Sequence, residues 1–316
     1  MRDYESPYTD AKLKISGVKG AQCCFSYTAA HLWPLKMVHQ LLEKLIDQDV
    51  KLYTHTPVIQ ISSKRDVSGL WTVSTPRGAI KARAIVYATN GYTSQLLPEY
   101  SRNIVPIRGI CSHIEGPRGT AAPHLVNTYG IRFDARNNDY LIPRPDGSIV
   151  VGGARQKFWH NRERWYGTVR DDELVDEAVP YFDGYMQRLF RGWEDSGAKV
   201  SRVWTGSKSS AMPPRCFTRV LTNESVMGYS SDFMPHVGEV PDKPGQFIIA
   251  GFTGHGMPQI LLSSKGLARM MRDGTRFEET GIPRVFRTSK SRITSPRSLM
   301  EESLEPLWNG KKESKL

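Results

Sequence analysis

Phe247 to Met271 constrains the chain more than any other stretch. An apolar run, Phe247 to Ala250, leads directly into Gly251, Gly254 and Gly256, with His255 among them, and then into apolar residues at helical spacing as far as Met271. A strand, a glycine-rich turn and a helix must therefore follow one another with no linker. Glycine lets the backbone come close to a ligand because no side chain stands in the way. The N–H groups that open a helix have no partner inside it and can meet electron-rich oxygens. Two readings stay open at this level: a cofactor cradle of an α/β protein, or an ordinary tight strand-to-helix turn.

The rest of the chain alternates both kinds of periodicity. Leu35 to Ile46 repeats apolar residues at helical spacing, with Pro34 suited to its first turn. Val50 to Tyr53 and Val58 to Ser62 read as strands, and Gly69 to Val86 as a hairpin about Pro76-Arg77-Gly78. The nearly continuous apolar stretch Ala84 to Ala88 is expected inside a sheet covered on both faces. From Ile104 to Gly153 the pattern is that of an antiparallel sheet, with Pro145-Asp146-Gly147 as a hairpin turn. Asp171 to Arg191 reads as a helix, Lys199 to Thr205 as a strand, and Gly256 to Arg272 as a helix. Beyond Pro283 the sequence is rich in Ser, Arg, Lys and Pro and is expected to be poorly ordered.

Charge and cysteine usage narrow the function classes. The net charge of +11 would suit a nucleic-acid partner, but much of it falls in the C-terminal tail and around Lys208, Arg215 and Arg219. No basic stripe interleaves with aromatics, so no nucleic-acid partner is expected. No apolar run is long enough to span a bilayer, so no membrane partner is expected either. The four cysteines, Cys23, Cys24, Cys111 and Cys216, lack metal-ligand spacing; no metal is expected and the thiols read as reduced.

Several motifs in order carry a resemblance. YATNGYTSQLLP from Tyr87 and GFTGHGMPQI from Gly251, supported by HLWPLKMVHQLL from His31, YLIPRPDGSIVVGGA from Tyr140, FRGWEDSGAKVSRVWTG from Phe190 and SSDFMPHVGEVP from Ser230, resemble the FAD-dependent oxidoreductases of the D-amino-acid oxidase and sarcosine oxidase family, in the flavour of fungal members with a GHGM turn. The resemblance runs from about Gly17 to Phe286. It implies a mixed α/β fold: a flavin-binding Rossmann-like domain joined to an antiparallel substrate-binding sheet. It implies FAD contacts at Val58, at Ala88, Thr89, Asn90 and Gly91, and at Gly251, Phe252, Gly254, His255, Gly256 and Met257, with backbone amides around Phe252 and His255 against the flavin. It also implies catalytic roles for His255 at the flavin edge and for Arg108 as an anion receptor, the latter beside the alternative of a surface arginine. The implied reaction takes a hydride from a C–H next to nitrogen in an amine or amino acid, with O2 reoxidising the flavin.

The sequence departs from that family in three places. No strand followed by G-x-G-x-x-G occurs in it; Gly17-Val18-Lys19-Gly20 has the wrong spacing. The chain is accordingly expected to be a partial FAD-binding domain (1–103 and 228–283), a substrate sheet (104–206), an atypical insertion (207–227) and a basic tail (284–316); a truncated gene model, a natural fragment and a subunit completed by another chain all stay open as the reason. The alternative is a truncated, non-catalytic remnant that binds no FAD alone. Second, Lys208 to Val226 interrupts a segment that is continuous in relatives. Third, Pro258 stands where sarcosine-oxidase members carry a substrate-binding lysine, and no cysteine lies near Met227, so flavin is expected to be non-covalent. Asp232 and His236 read as structural. The final Ser314-Lys315-Leu316 matches a peroxisomal address, with the cytoplasm as the alternative location.

Overall fold

The computed structural model describes residues 16–116, 122–205, 208–209 and 226–308. Most of the 207–227 insertion, and Ser314-Lys315-Leu316, lie outside them. Along the chain the elements are α1 (Pro34–Ile46), β1 (Gln60–Ile61), β2 (Trp71–Thr75), β3 (Gly78–Ala82), β4 (Ile85–Tyr87), α2 (Thr93–Leu96), β5 (Ile104–Arg108), β6 (Cys111–Glu115) and β7 (Tyr129–Arg132). Then come β8 (Asn138–Pro143), β9 (Ile149–Gly152), α3 (Tyr185–Leu189), β10 (Lys199–Thr205), β11 (Lys208–Ser209), β12 (Val226–Ser230), β13 (His236–Glu239) and β14 (Gln246–Ala250). Last are α4 (Met257–Asp273), α5 (Lys290–Ile293) and α6 (Leu299–Trp308). No described helix is long and apolar enough to cross a membrane.

The chain divides into two units. The first comprises Met1–Leu45, Gly109–Phe158 and Asp171–Asn223; the second comprises Ile46–Arg108, Trp159–Arg170 and Glu224–Leu316. Residues 16–45 thus cluster with the large sheet, whereas the sequence reading grouped them with the FAD-binding part.

The first unit is built on an antiparallel sheet in the order β11-β10-β6-β9-β8-β7. Side chains alternate between its faces. Val203, Ser112, Val151 and Leu141 lie in one cross-strand row and are fully buried. In the adjacent row Cys111 is buried while Tyr140 is 43% exposed, so cover on the other face is partial. On the packed face Asp139 is buried. Its carboxylate accepts hydrogen bonds from the Ala154 amide (2.9 Å) and from the hydroxyls of Tyr181 (2.6 Å) and Tyr185 (2.9 Å). Burial, and then that carboxylate, push the Tyr185 hydroxyl well above its ordinary value, which keeps it a donor. The helix expected over Asp171–Arg191 is broken. A 3-10 segment, Asp176–Phe182, contains Pro180, and Gly184 takes a left-handed φ of +60° before α3 begins. Helix α1 forms as the apolar spacing requires, but it buries none of its residues; Leu41 and Leu45 face outward.

The second unit carries three small sheets: β1-β2-β3, β12-β5 and β13-β14-β4. The hairpin expected over Gly69–Val86 ends at Ala82. Ile85–Tyr87 leaves it to pair with β14, in parallel, Ile85 opposite Gln246. As an edge strand β4 leaves Val86 41% exposed, so the expectation of cover on both faces does not hold. Val50–Tyr53 forms no strand, and of Val58–Ser62 only Gln60–Ile61 does. Strand β14 lies between two cores. Ile248 and Ala250 pack with Tyr87, Leu97, Tyr100 and Ile104; Ile249 packs with Val237, Leu267 and Phe277. Hydrophobic burial on both sides fixes the strand from which the glycine turn departs.

The segment expected to be a disordered tail is structured as far as residue 308. Arg292 in α5 gives two bonds to Asp232, from Nε (2.8 Å) and Nη2 (2.9 Å), and further bonds to the carbonyls of Met234, Pro235 and Arg287. A bidentate guanidinium–carboxylate pair is geometrically specific. Met300 and Leu304 of α6 are buried, so apolar packing adds to this polar anchor. Composition hid the anchor because the surrounding residues are exposed and polar. Burial alone would raise the Asp232 carboxyl, but Arg292 and Ser230 outweigh it and hold it below its ordinary 3.8. A depressed carboxyl stabilises the fold above its unfolded pKa and loses that contribution as pH falls. Arg292→Met is therefore expected to cost about 2 kcal/mol at neutral pH. In urea melts the difference from the parent protein should shrink as pH falls below the ordinary aspartate value.

Candidate functional site

The glycine turn grows out of β14 and is braced from two directions. The first brace is Asn90, whose side-chain Oδ1 accepts the amides of Gly251 (3.0 Å) and Phe252 (3.4 Å). Asn90 has φ +41°, a left-handed conformation that asparagine tolerates better than most residues. The second brace is β12. The Thr253 amide donates to the Gly228 carbonyl (2.8 Å), and Thr253 Oγ1 accepts the Ser230 amide (3.1 Å). Thr253 itself is left-handed at φ +54°, a strained state that persists because both sides hold it. Gly228 is needed for closeness: a Cβ there would lie 2.9 Å from the Asn90 carbonyl carbon and from the Gly91 nitrogen. Gly254 is needed for its φ of +74°, with the Tyr229 hydroxyl 3.3 Å from where a Cβ would be.

This bracing decides which amides a ligand could use. The amides of Gly251, Phe252, Thr253 and His255 are all spent internally, the last on the Phe252 carbonyl at 2.9 Å. The expectation that amides around Phe252 and His255 meet the flavin is thus corrected: Phe252 is buried and structural. The amides of Gly254, Gly256 and Met257, at the exposed lip and at the start of α4, donate to no described residue. Gly256 and Met257 open α4, where partial positive charge accumulates.

His255 is exposed on the same lip. Its Nδ1 lies 2.9 Å from the Thr253 carbonyl. A carbonyl only accepts, so Nδ1 carries the proton, and in the neutral ring Nε2 presents a lone pair outward.

The remaining candidates separate into braces and outliers. Gly91 is buried against the β12 backbone. Thr89 exchanges a hydroxyl hydrogen bond with Thr93 (2.9 Å), which closes the turn that presents Asn90. Ala88 is exposed at the end of β4, and Val58 lies just before β1, outside any strand. Arg108 is neither a surface arginine nor an open anion receptor. It is 2% exposed, and its Nη1 donates to the Arg164 carbonyl (2.9 Å), which ties β5 to Trp159–Arg170. Asp232 and His236 are structural, as expected. Burial, then Arg292, push the His236 imidazole down to about 3, so it stays neutral, edge-on to Tyr100. The residues missed by sequence reading are Gly228, Tyr229 and Thr253, because no local pattern ties β12 to the turn.

Residues 4–270 match the family of FAD dependent oxidoreductases, DAO. The chain belongs to this family. A glycine oxidase of Geobacillus kaustophilus (strain HTA426) is 25% identical over 214 residues, 67% of this chain and 45% of that protein. Among solved structures, glycine oxidase from Bacillus cereus ATCC 14579 superposes with a TM-score of 0.56 at 14% identity, over 78% of this chain and 57% of that one. A variant of Amadoriase I from Aspergillus fumigatus gives 0.54 at 12% identity, over 82% and 55%. At these identities the structures show a shared fold. The chain spans about half the length of the relatives it matches.

The turn fits a flavin in one respect and not in another. Unspent amides, a glycine lip and an outward imidazole nitrogen suit the edge of a planar, electron-rich heterocycle. The described residues supply no glycine fingerprint for a pyrophosphate. Asn90→Ala should cost about 2 kcal/mol, because it strands two amides of a largely buried turn. Gly228→Ala should be at least as damaging, because the obstacle is backbone. Equilibrium unfolding of each variant checks both.

Proposed function

We propose that the chain carries the flavin-edge and substrate-facing part of an FAD-dependent oxidoreductase that oxidises a C–N bond of an amine or amino acid. Support comes chiefly from the family-matched turn at Gly254 to Met257, where three amides donate to no described residue and the Thr253 carbonyl fixes the His255 ring through Nδ1. Glycine oxidase and iminodiacetate oxidase, by their names, act on small amino and imino acids; a substrate of that class is the natural extension to this chain.

FAD bound without a covalent link would accept the hydride and, in an oxidase, pass the electrons to O2. The protein's own tasks are positional. Gly254, Gly256 and Met257 amides stabilise negative charge at the flavin edge, aided by the α4 dipole. His255 orients through its bond to Thr253 and offers Nε2 to a proton. Asn90 and Thr253 keep those groups in register. Val58 and Ala88 are proposed to lie toward the adenosine side. The pyrophosphate cradle is assigned to a separate segment or chain. Support for such a partner is the unburied apolar face of α1 and, independently, the single-sided parallel pairing of β4. Peroxisomal delivery is proposed on Ser314-Lys315-Leu316.

Flavin binding tests the reading. The chain, combined with a nucleotide-binding half from a family member, should quench FAD fluorescence and be bleached by an amine or amino-acid substrate under anaerobic conditions. Hydrogen peroxide should appear when air is admitted. His255→Ala should slow flavin reduction by on the order of 10²-fold without loss of bound flavin. If the combined protein folds but leaves FAD fluorescence unchanged, the non-catalytic remnant is the correct description.

A further inference from the structure

The second unit contains a cavity of about 400 Å³ between the Ser101-Arg102 turn, β5, Tyr166–Val169 and the start of α6. That volume lies within the range of small-molecule sites, roughly 300–1,000 Å³. One wall, Ser295 to Glu301, lies beyond residues 4–270 that match the family. None of the glycine-turn residues lines it. It is therefore a feature of this chain rather than part of the site described above.

Three charged side chains line the cavity: Arg102, Arg297 and Glu301. Glu301 is fixed in place: its Oε1 accepts the Tyr166 hydroxyl at 2.6 Å and meets Arg162 at 3.4 Å. Burial, then Glu301, raise the Tyr166 hydroxyl well above its ordinary value, so it remains a donor. Glu301 Oε2 takes no hydrogen bond or ion pair from a described residue; both recorded partners are on Oε1. Arg102, on the turn after Tyr100, has no hydrogen bond or ion pair among the described residues. Arg297, by contrast, is already spent in a bidentate pair with Glu302 (2.8 and 3.0 Å). Ser94 and Ser295 add hydroxyls, and Val105, Pro106 and Val169 add an apolar patch.

We propose that this cavity binds a free α-amino acid with a small apolar side chain. Its carboxylate would meet Arg102, its ammonium Glu301 Oε2, and its side chain the Val105–Pro106–Val169 patch. A simple anion would be repelled by Glu301, and a simple cation by Arg102. A neutral ligand would cover both charges without pairing them, which is costly. A zwitterion satisfies both, and each contact is a charge-assisted hydrogen bond.

Calorimetric titration of the full, flavin-free chain with L-valine, N-acetyl-L-valine and L-valinamide tests this. L-Valine is expected to bind one site per chain. Each derivative lacks one charge and should bind about tenfold more weakly or worse. Arg102→Gln breaks no internal contact, so it should keep the parent melting temperature while weakening L-valine about tenfold. Glu301→Gln should do the same to affinity, with some loss of stability through Tyr166. His255→Ala should leave L-valine binding unchanged, which separates this site from the flavin turn. The proposal is overturned if L-valine gives no binding heat up to on the order of 10 mM. Equal binding of N-acetyl-L-valine, indifference to Arg102→Gln, or loss of binding in His255→Ala would overturn it as well.

Discussion

One side-chain oxygen, Asn90 Oδ1, governs the candidate site. It receives two consecutive amides of the glycine turn and so removes them from the supply a ligand could use. Because those amides are spent, the turn has a single shape before anything binds, and the unspent amides are displaced to its exposed lip. Preorganisation of this kind lowers the entropy a ligand must remove on binding. It also makes Asn90 a support for the cofactor groove rather than a wall of it. Its own left-handed backbone is held by the glycines of β12 and of the adjoining turn, which alone allow the approach.

The second unit shows how much of a core can be completed from outside the family's shared stretch. Arg292 and the buried residues of α6 come after the last matched residue. Yet Asp232, which sits between β12 and β13, takes two of its four hydrogen bonds from that guanidinium. A polar, proline-bearing sequence became an ordered strap because one arginine found five acceptor contacts. Such an outcome follows from geometry, which composition does not encode.

The sequence made the periodic elements legible. Helices α1 and α4, the β8–β9 hairpin and strand β14 all follow from spacing and turn chemistry within a few residues of each other. So did the glycine turn at Gly251 to Met257. What it hid were long-range decisions. Ile85–Tyr87 looked like the end of a hairpin, but its partner lies about 160 residues later, a pairing no local pattern announces. Arg108 looked like a receptor because arginines often are; its burial depends on the remote carbonyl of Arg164. Gly228 stood next to the unusual insertion, and no local pattern announced Asn90 as the neighbour it would touch. Asp171–Arg191 had helical composition, but Pro180 and Gly184 outvoted it.

Asp139 carries a consequence for how the large sheet assembles. Its charge is shielded by donors on three separate pieces of chain: the bend after β9, the 3-10 segment and α3. Any intermediate with the strand docked but one donor absent would hold a dehydrated anion short of compensation. Partly formed versions of this unit are thereby penalised, and the carboxylate acts as a proofreader that favours all-or-none closure of strand, bend and helix together.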